Sequence, residues 1–378
     1  MYRQVPPHDP FGSLKFFFID FGYNKIMSYY SHFGLIFHTC SLFLESYYMI
    51  ENFSLDFFVK YGCAMTLMFY FIISQFVTIA IETLVHELEE ESKLFFWHID
   101  SLDSKLQRKI LKKSAKTNRK YCLLWSPFAV LVIVLLPVWE NLNESHLFPQ
   151  VYESYFRIWS PVFYYVYVST FPLLGYTAIR NPAIILYAVL NLDLQIVLLN
   201  QKILQISGDN DFECVRFQEK VTRNLCLCIS QHVALKKWTN KFLKPMQKTI
   251  PVYSCLGVFC LVTIMFFILN NVNTNVSNHL KIRLLVSGIC CSLILYTFSE
   301  TGQLLVDTTG QVYNALVECP WYCWNIKNRK LFQMFILDSL KPLKIYWGGL
   351  VLDYSFGGSI IKTCCSYALV LYKLKNAK

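Results

Sequence analysis

Apolar residues along the chain gather into seven runs separated by polar, lysine-rich segments. The runs occupy about residues 32–50, 61–82, 121–139, 161–180 with an apolar extension to 199, 252–272, 284–306 and 345–372. Each approaches or exceeds the roughly 20 residues that a helix needs to cross a hydrocarbon core of about 30 Å. The fourth run is longer than one crossing. Residues 161–199 are apolar but interrupted by Pro172, Arg180, Asn181 and Pro182, and read as one span with a helical extension or as a two-span hairpin. The polar segments 83–120, 200–251 and 307–344 also read as helical. Within 212–248, Val215, Val221, Leu225, Ile229, His232, Leu235, Trp238 and Phe242 recur every three to four positions, opposite a charged face. Such a face calls for burial, so these helices are expected to pack on each other or on another subunit.

Charge placement chooses between the two readings of the fourth run. With one span there, residues 1–31 and the segments 83–120, 200–251 and 307–344 share one side and hold 26 of the 35 Lys and Arg residues. The other side holds Lys60, Arg157, Lys281, Arg283, Lys373, Lys375 and Lys378. Basic residues concentrate on the cytoplasmic side of a membrane protein. The expected fold is therefore all-α: a seven-transmembrane-helix protein, N-terminus inside and C-terminus outside, with cytoplasmic helical extensions forming an anchor region. Two spans in 161–199 would erase that asymmetry. The three Asn-x-Ser/Thr triplets, at Asn52, Asn143 and Asn275, all fall in expected outside loops and are glycosylation candidates.

Composition agrees: 54% of residues are hydrophobic and 16% charged, against roughly 25% charged in a soluble domain. The net charge of +10 comes from residues in the loops, with no basic patch of stacking aromatics, so nucleic acid is not an expected partner. Residues 1–31 show no small-residue cleavage site after a short apolar core, and the first span is expected to act as the insertion signal. None of the 14 cysteines lies in an outside loop, and none sits in a zinc-site pattern. No phosphate loop or nucleophile elbow appears. The expected enzyme activity, catalytic residues, metal and cofactor are therefore none. Asp353 and Lys362 lie in the last run, nine residues apart, too far to pair on one helix face. A G-protein-coupled chemoreceptor fits poorly, since that family places its N-terminus outside and an Asp-Arg-Tyr-like triplet after the third span.

The C-terminal third carries an ordered set of residues: Val312-Tyr-Asn-Ala315, Trp321-Tyr322, Asn328-Arg-Lys330, Ser339-Leu-Lys-Pro342, Gly348 and Gly349, Ser355-Phe356, Lys362 and Ser366-Tyr367. Upstream stands Cys228-Ile-Ser-Gln-His232, followed by Leu235. With seven spans and inverted topology, this set resembles the insect odorant receptor family; the N-terminal half matches in hydropathy alone. Asp353, Gly357 and Gly358 depart from the pattern. The terminus Ser366-Tyr367 through Lys373-Leu374 differs from that of the related gustatory receptors. The co-receptor's long insertion between the fourth and fifth spans is missing, so the chain resembles a tuning, odorant-binding subunit.

The resemblance implies a subunit of a ligand-gated, non-selective cation channel in the plasma membrane of olfactory neuron dendrites. It implies a heterotetramer with olfactory co-receptor subunits, a small volatile organic ligand, surrounding membrane lipid and permeating cations. A gustatory-type homotetramer is the alternative. The matched terminus makes Val370 the candidate pore gate, with Lys373 and Leu374 about one turn beyond. The chain then divides into an odorant-binding bundle (1–199), a subunit anchor (200–344) and a pore-lining span (345–378).

The outside loops are too short to enclose a ligand, so an odorant must bind among the outer halves of spans two, three, four and six. These hold Phe69 and Tyr70, Leu135 and Trp139, Tyr164, Tyr167, Val168 and Phe171, and Cys290 and Leu293. Apolar walls with a few hydroxyl or indole groups suit a small, mostly apolar molecule. The alternative is that these aromatics face lipid or form an interfacial belt.

Overall fold

The computed structural model describes residues 9–99, 104–135, 146–206, 215–271 and 278–376. In chain order the helices are α1 (Gly12–Lys15, continued by a π-helical turn Phe16–Asp20), α2 (Lys25–Glu51), α3 (Leu55–Ala80), α4 (Glu82–Phe95) and α5 (Ser104–Leu135). They continue with α6 (Phe148–Phe156), α7 (Ser160–Leu204), α8 (Val215–Asn271), α9 (Asn278–Val317), α10 (Ile326–Ser339) and α11 (Tyr354–Asn376). One antiparallel hairpin, β1 (Tyr346–Trp347) with β2 (Leu350–Val351), interrupts the helical series. By length and apolar composition, four stretches among the described residues can cross a membrane: Lys60–Ala80, Phe148–Leu204, Val215–Leu269 and Lys281–Val317. The other expected spans correspond to α2, α5 and α11.

Helix α7 is the central post of the bundle, and every residue from Thr177 to Leu186 is buried. It is one continuous helix of 45 residues, which removes the hairpin alternative. At 1.5 Å per residue it is about 68 Å long, more than twice a hydrocarbon core. Its passage through Pro182 has a local explanation. Proline has no N–H for the carbonyl four residues earlier, here Ala178. Tyr70 of α3 donates its hydroxyl to that carbonyl at 3.2 Å, and Ser74 donates to the neighbouring Thr177 carbonyl at 2.9 Å.

The N-terminal segment packs against α7 although its hydropathy predicts no element. Leu14, Phe18 and Ile19 are buried. Arg180, 2% exposed, donates from Nε to the Phe18 carbonyl at 2.9 Å and lies 3.8 Å from the Tyr23 ring centroid. The chain's own N-terminal segment thus gives the charge that interrupted the fourth apolar run one carbonyl acceptor and one ring face.

The periodic stripe of 212–248 packs within the chain. Trp238 is buried and donates Nε1–H to the Leu88 carbonyl of α4 at 3.1 Å, while its ring meets Phe96 at 5.3 Å. Val215, the first residue of the stripe, is exposed. Beside α10, the buried Asn328 donates to the Gln218 carbonyl at 3.0 Å and accepts from Thr222 at 2.7 Å. Near the far end of the same contact, His232 Nε2 lies 3.3 Å from Asp338, which also pairs with Lys236.

Burial holds the His232 pKa below its ordinary value; Asp338 opposes this and Lys236 adds to it. The folded state therefore takes up a proton at this site less readily than the unfolded chain. Stability from this site is present above the unfolded value of about 6.5 and falls as the pH drops through it. Purified protein is expected to lose more melting temperature between about pH 7.5 and about 5.5 than the His232→Asn variant does. Equal losses in the two proteins would exclude the site as a contributor.

The last apolar run does not start as a helix at 345. Gly348 and Gly349 have φ of 53° and 91° and form the two-residue turn between β1 and β2. That turn requires the left-handed region at both positions, where a Cβ is strained. These glycines are turn residues rather than helix-packing residues. Helix α11 begins at Tyr354, and Asp353 caps it by accepting from the Phe356 N–H at 2.9 Å. The acidic residue that looked out of place inside a span is therefore a helix cap.

Candidate functional site

Tyr164, Tyr167 and Phe171 share a face of α7, as their spacing predicts, and meet the residues around α6. Tyr167 stacks on Phe148 with centroids 3.8 Å apart and meets His38 edge-on at 4.8 Å. Its hydroxyl donates to the Met68 sulfur at 3.4 Å. Tyr164 stacks on the same Phe148 at 5.8 Å. Protein already fills the space around Tyr167, which is 1% exposed.

One cavity adjoins this aromatic cluster, and a second lies apart from it. The first, of about 620 Å³ including the space at its mouth, opens where α3 and α9 begin and α8 ends. Phe171 lines it together with Lys60, Met68, Phe71, His146, Phe267 and Arg283. The second, about 780 Å³, lies between α3, α8, α9 and α11, and is lined by Tyr70, Tyr253, Cys291, Phe298, Phe356 and Ile360 among others.

The structure distributes the sequence-derived candidates between these places rather than gathering them into one. Phe171 faces the first cavity and Tyr70 the second. Phe69 is 44% exposed on the outer side of α3. Cys290 is buried, but its neighbour Cys291 lines the second cavity. Val168 is half-buried, and Leu293 packs against the core. Trp139, Asn143, Asn275 and the Leu135 side chain lie outside the described residues. Asn52, just past the end of α2, is exposed and donates Nδ2–H to the Tyr48 carbonyl at 3.0 Å.

Helix α11 presents two unlike faces. Ile360, Cys364 and Ala368 are buried, the first two in a cluster with Leu261 of α8. Ser355, Ser359, Lys362, Ser366, Val370 and Lys373 are exposed. At 100° per residue these six fall within an arc of about 80°. The candidate gate residues Val370 and Lys373 lie in this stripe, with Leu374, 61% exposed, on its flank.

One constellation has no signature in local sequence. Glu300 of α9 accepts from Lys120 at 3.2 Å and Tyr121 at 3.0 Å, both on α5, from Tyr296 at 3.1 Å, and from Tyr354 at the start of α11. Its side chain is 12% exposed. Periodicity exposes each helix but not which carboxylate three helices share. Among the described residues no group of His, Cys, Asp and Glu is arranged to hold a metal ion.

A family model described as 7tm Odorant receptor matches residues 13–363. A comparison with curated proteins gives no match. Among solved structures, the insect olfactory receptor OR5 from Machilis hrabei superposes with a TM-score of 0.71 at 11% identity, covering 93% of this chain and 90% of that one. The same receptor in complex with eugenol gives a TM-score of 0.68 at 10% identity, with 93% and 91% covered.

Proposed function

The chain belongs to the 7tm odorant receptor family, a family of receptors rather than enzymes, and from that premise we propose that it is the odorant-binding subunit of a ligand-gated, non-selective cation channel. The single observation that carries the channel reading is the polar stripe on α11. Ser355, Ser359, Lys362 and Ser366 are exposed on a helix whose opposite face is anchored in the bundle. Lipid is a poor solvent for such a face, because ionisable groups within a membrane turn toward a bundle interior or a water-filled path. A pore between subunits supplies that water. Val370, in the same stripe, would close the path by dewetting.

In this reading the helices span the plasma membrane of olfactory dendrites seven times, with the N-terminus in the cytoplasm. Co-receptor subunits complete a heterotetramer through the α8–α10 region. A small volatile occupies the cavity beside the aromatic cluster. The similar Machilis hrabei receptor is described in complex with eugenol, which supports a small volatile as the ligand class.

Cysteine scanning of co-expressed channels tests the stripe. With Cys365 replaced by Ser, odorant-evoked current through Ser359→Cys, Lys362→Cys and Ser366→Cys channels should be blocked by a membrane-impermeant methanethiosulfonate. Ile360→Cys, on the buried face, should resist. Equal modification on both faces, or none on the stripe, would place the pore elsewhere.

A further inference from the structure

The cavity lined by Phe171 is apolar along its walls but not at its mouth. Met68, Phe71 and Phe171 supply the walls, and Lys60, His146 and Arg283 supply nitrogen donors. No carboxylate lines it among the described residues. Arg283 is 8% exposed, so its charge sits within the protein rather than in bulk solvent. His146 Nε2 is enclosed and has no hydrogen-bond partner among the described residues. Its ring is held between Phe148, at 5.7 Å, and Phe171, at 6.3 Å.

We infer that this cavity recognises a small apolar molecule carrying a carbonyl or carboxylate oxygen, which Arg283 and His146 receive while the carbon skeleton lies against Met68, Phe71 and Phe171. The inference rests on the odorant-receptor reading and adds the ligand class to it. A guanidinium only donates, and an imidazole nitrogen facing an acceptor donates as its N–H tautomer. Burial and the nearby Arg283 charge push the His146 pKa down to about 3, so the ring is neutral and selects its tautomer to suit the ligand. A pure hydrocarbon would fill the volume yet leave Nε2 unanswered. An enclosed polar atom without a partner is costly, and an acceptor oxygen removes that cost. Lys60, exposed at the rim, adds positive potential that favours an ionised acid over the neutral ketone.

Heptanoic acid, heptan-2-one and heptane share a chain length and differ in the oxygen. Two readouts apply: current in cells co-expressing the co-receptor, and binding of radiolabelled heptanoic acid or heptan-2-one to the purified chain. Both oxygenated probes should act at concentrations about tenfold or more below heptane, and the stronger of the two identifies carboxylate or carbonyl as the preferred group. Arg283→Met should weaken the acid by about ten- to a hundredfold, and Arg283→Lys should recover part of that loss. His146→Phe should weaken the ketone more than heptane. Surface expression and monodispersity of each variant separate misfolding from altered recognition, with Arg283→Lys as the conservative partner should Arg283→Met fail to fold. Equal potency of all three probes, or variants that shift them alike, overturns the inference. Binding with the expected variant pattern but no current leaves the site standing and removes the channel reading. Folded protein with neither binding nor current overturns both.

Discussion

Gly302→Ala is expected to destabilise the purified protein by about 3 kcal/mol and to abolish odorant-evoked current, the upper end of what overpacking costs. A Cβ at Gly302 of α9 would run into the backbone carbonyl of Leu352, immediately before α11. A side chain could rotate away, but a carbonyl fixed between the hairpin and a helix cap cannot. Leu352 itself donates its N–H to the Ile345 carbonyl at 3.0 Å, which ties it from the other side. Gly310 lies on the same helix with nothing within 4 Å of the equivalent Cβ. There the ordinary helix preference for alanine, about 1 kcal/mol, should make the substitution neutral or stabilising. Melting temperatures of the two variants in one detergent decide the matter. A neutral Gly302→Ala would mean that α9 and the start of α11 are not in backbone contact.

The sequence makes the helices legible where solvent imposes a period, and the joints illegible where distant residues meet. The face of 212–248 is readable because Trp238 and Phe242 need burial, and both are found buried within the chain. The unity of 161–199 follows from charge placement, yet its tolerance of Pro182 depends on Tyr70, more than a hundred residues earlier. No periodicity within either segment encodes that pairing. For the same reason Tyr70 is readable as an aromatic in the outer half of a span but not as a donor to a freed carbonyl. The 346–351 hairpin hides inside an apolar run because hydropathy averages over the Gly348-Gly349 turn. Asp353, which looks anomalous to hydropathy, is explained once the helix start is known. Of the candidate ligand residues, helical spacing places Tyr164, Tyr167 and Phe171 together on one face. It cannot tell a ring packed in protein, such as Tyr167, from one facing a cavity, such as Phe171.

The second large effect is expected at Glu300. Glu300→Ala should cost about 1–3 kcal/mol, chiefly because it removes the acceptor of the buried Tyr121 hydroxyl, while the half-exposed Lys120 ammonium contributes less. Glu300→Gln keeps an acceptor for the tyrosines but leaves Lys120 without its countercharge, so a smaller loss is expected. These substitutions report on the junction as a whole and do not isolate α11. Tyr354→Phe does, because it removes only the hydroxyl that joins the first turn of α11 to the shared carboxylate. Lys120, Tyr121 and Tyr296 still satisfy Glu300 in that variant, so stability should remain near that of the parent chain. If α11 moves when the channel opens, a tie present in one state and absent in the other biases that equilibrium by its own free energy. A difference of about 1 kcal/mol corresponds to roughly a fivefold change in the equilibrium constant. Tyr354→Phe channels should accordingly show raised basal current and an odorant dose–response curve displaced several-fold toward lower concentration. Displacement toward higher concentration would mean that the tie belongs to the open state. An unchanged curve with unchanged basal current would show that the tie is equally strong in both, leaving Glu300 a purely structural junction of α5, α9 and α11.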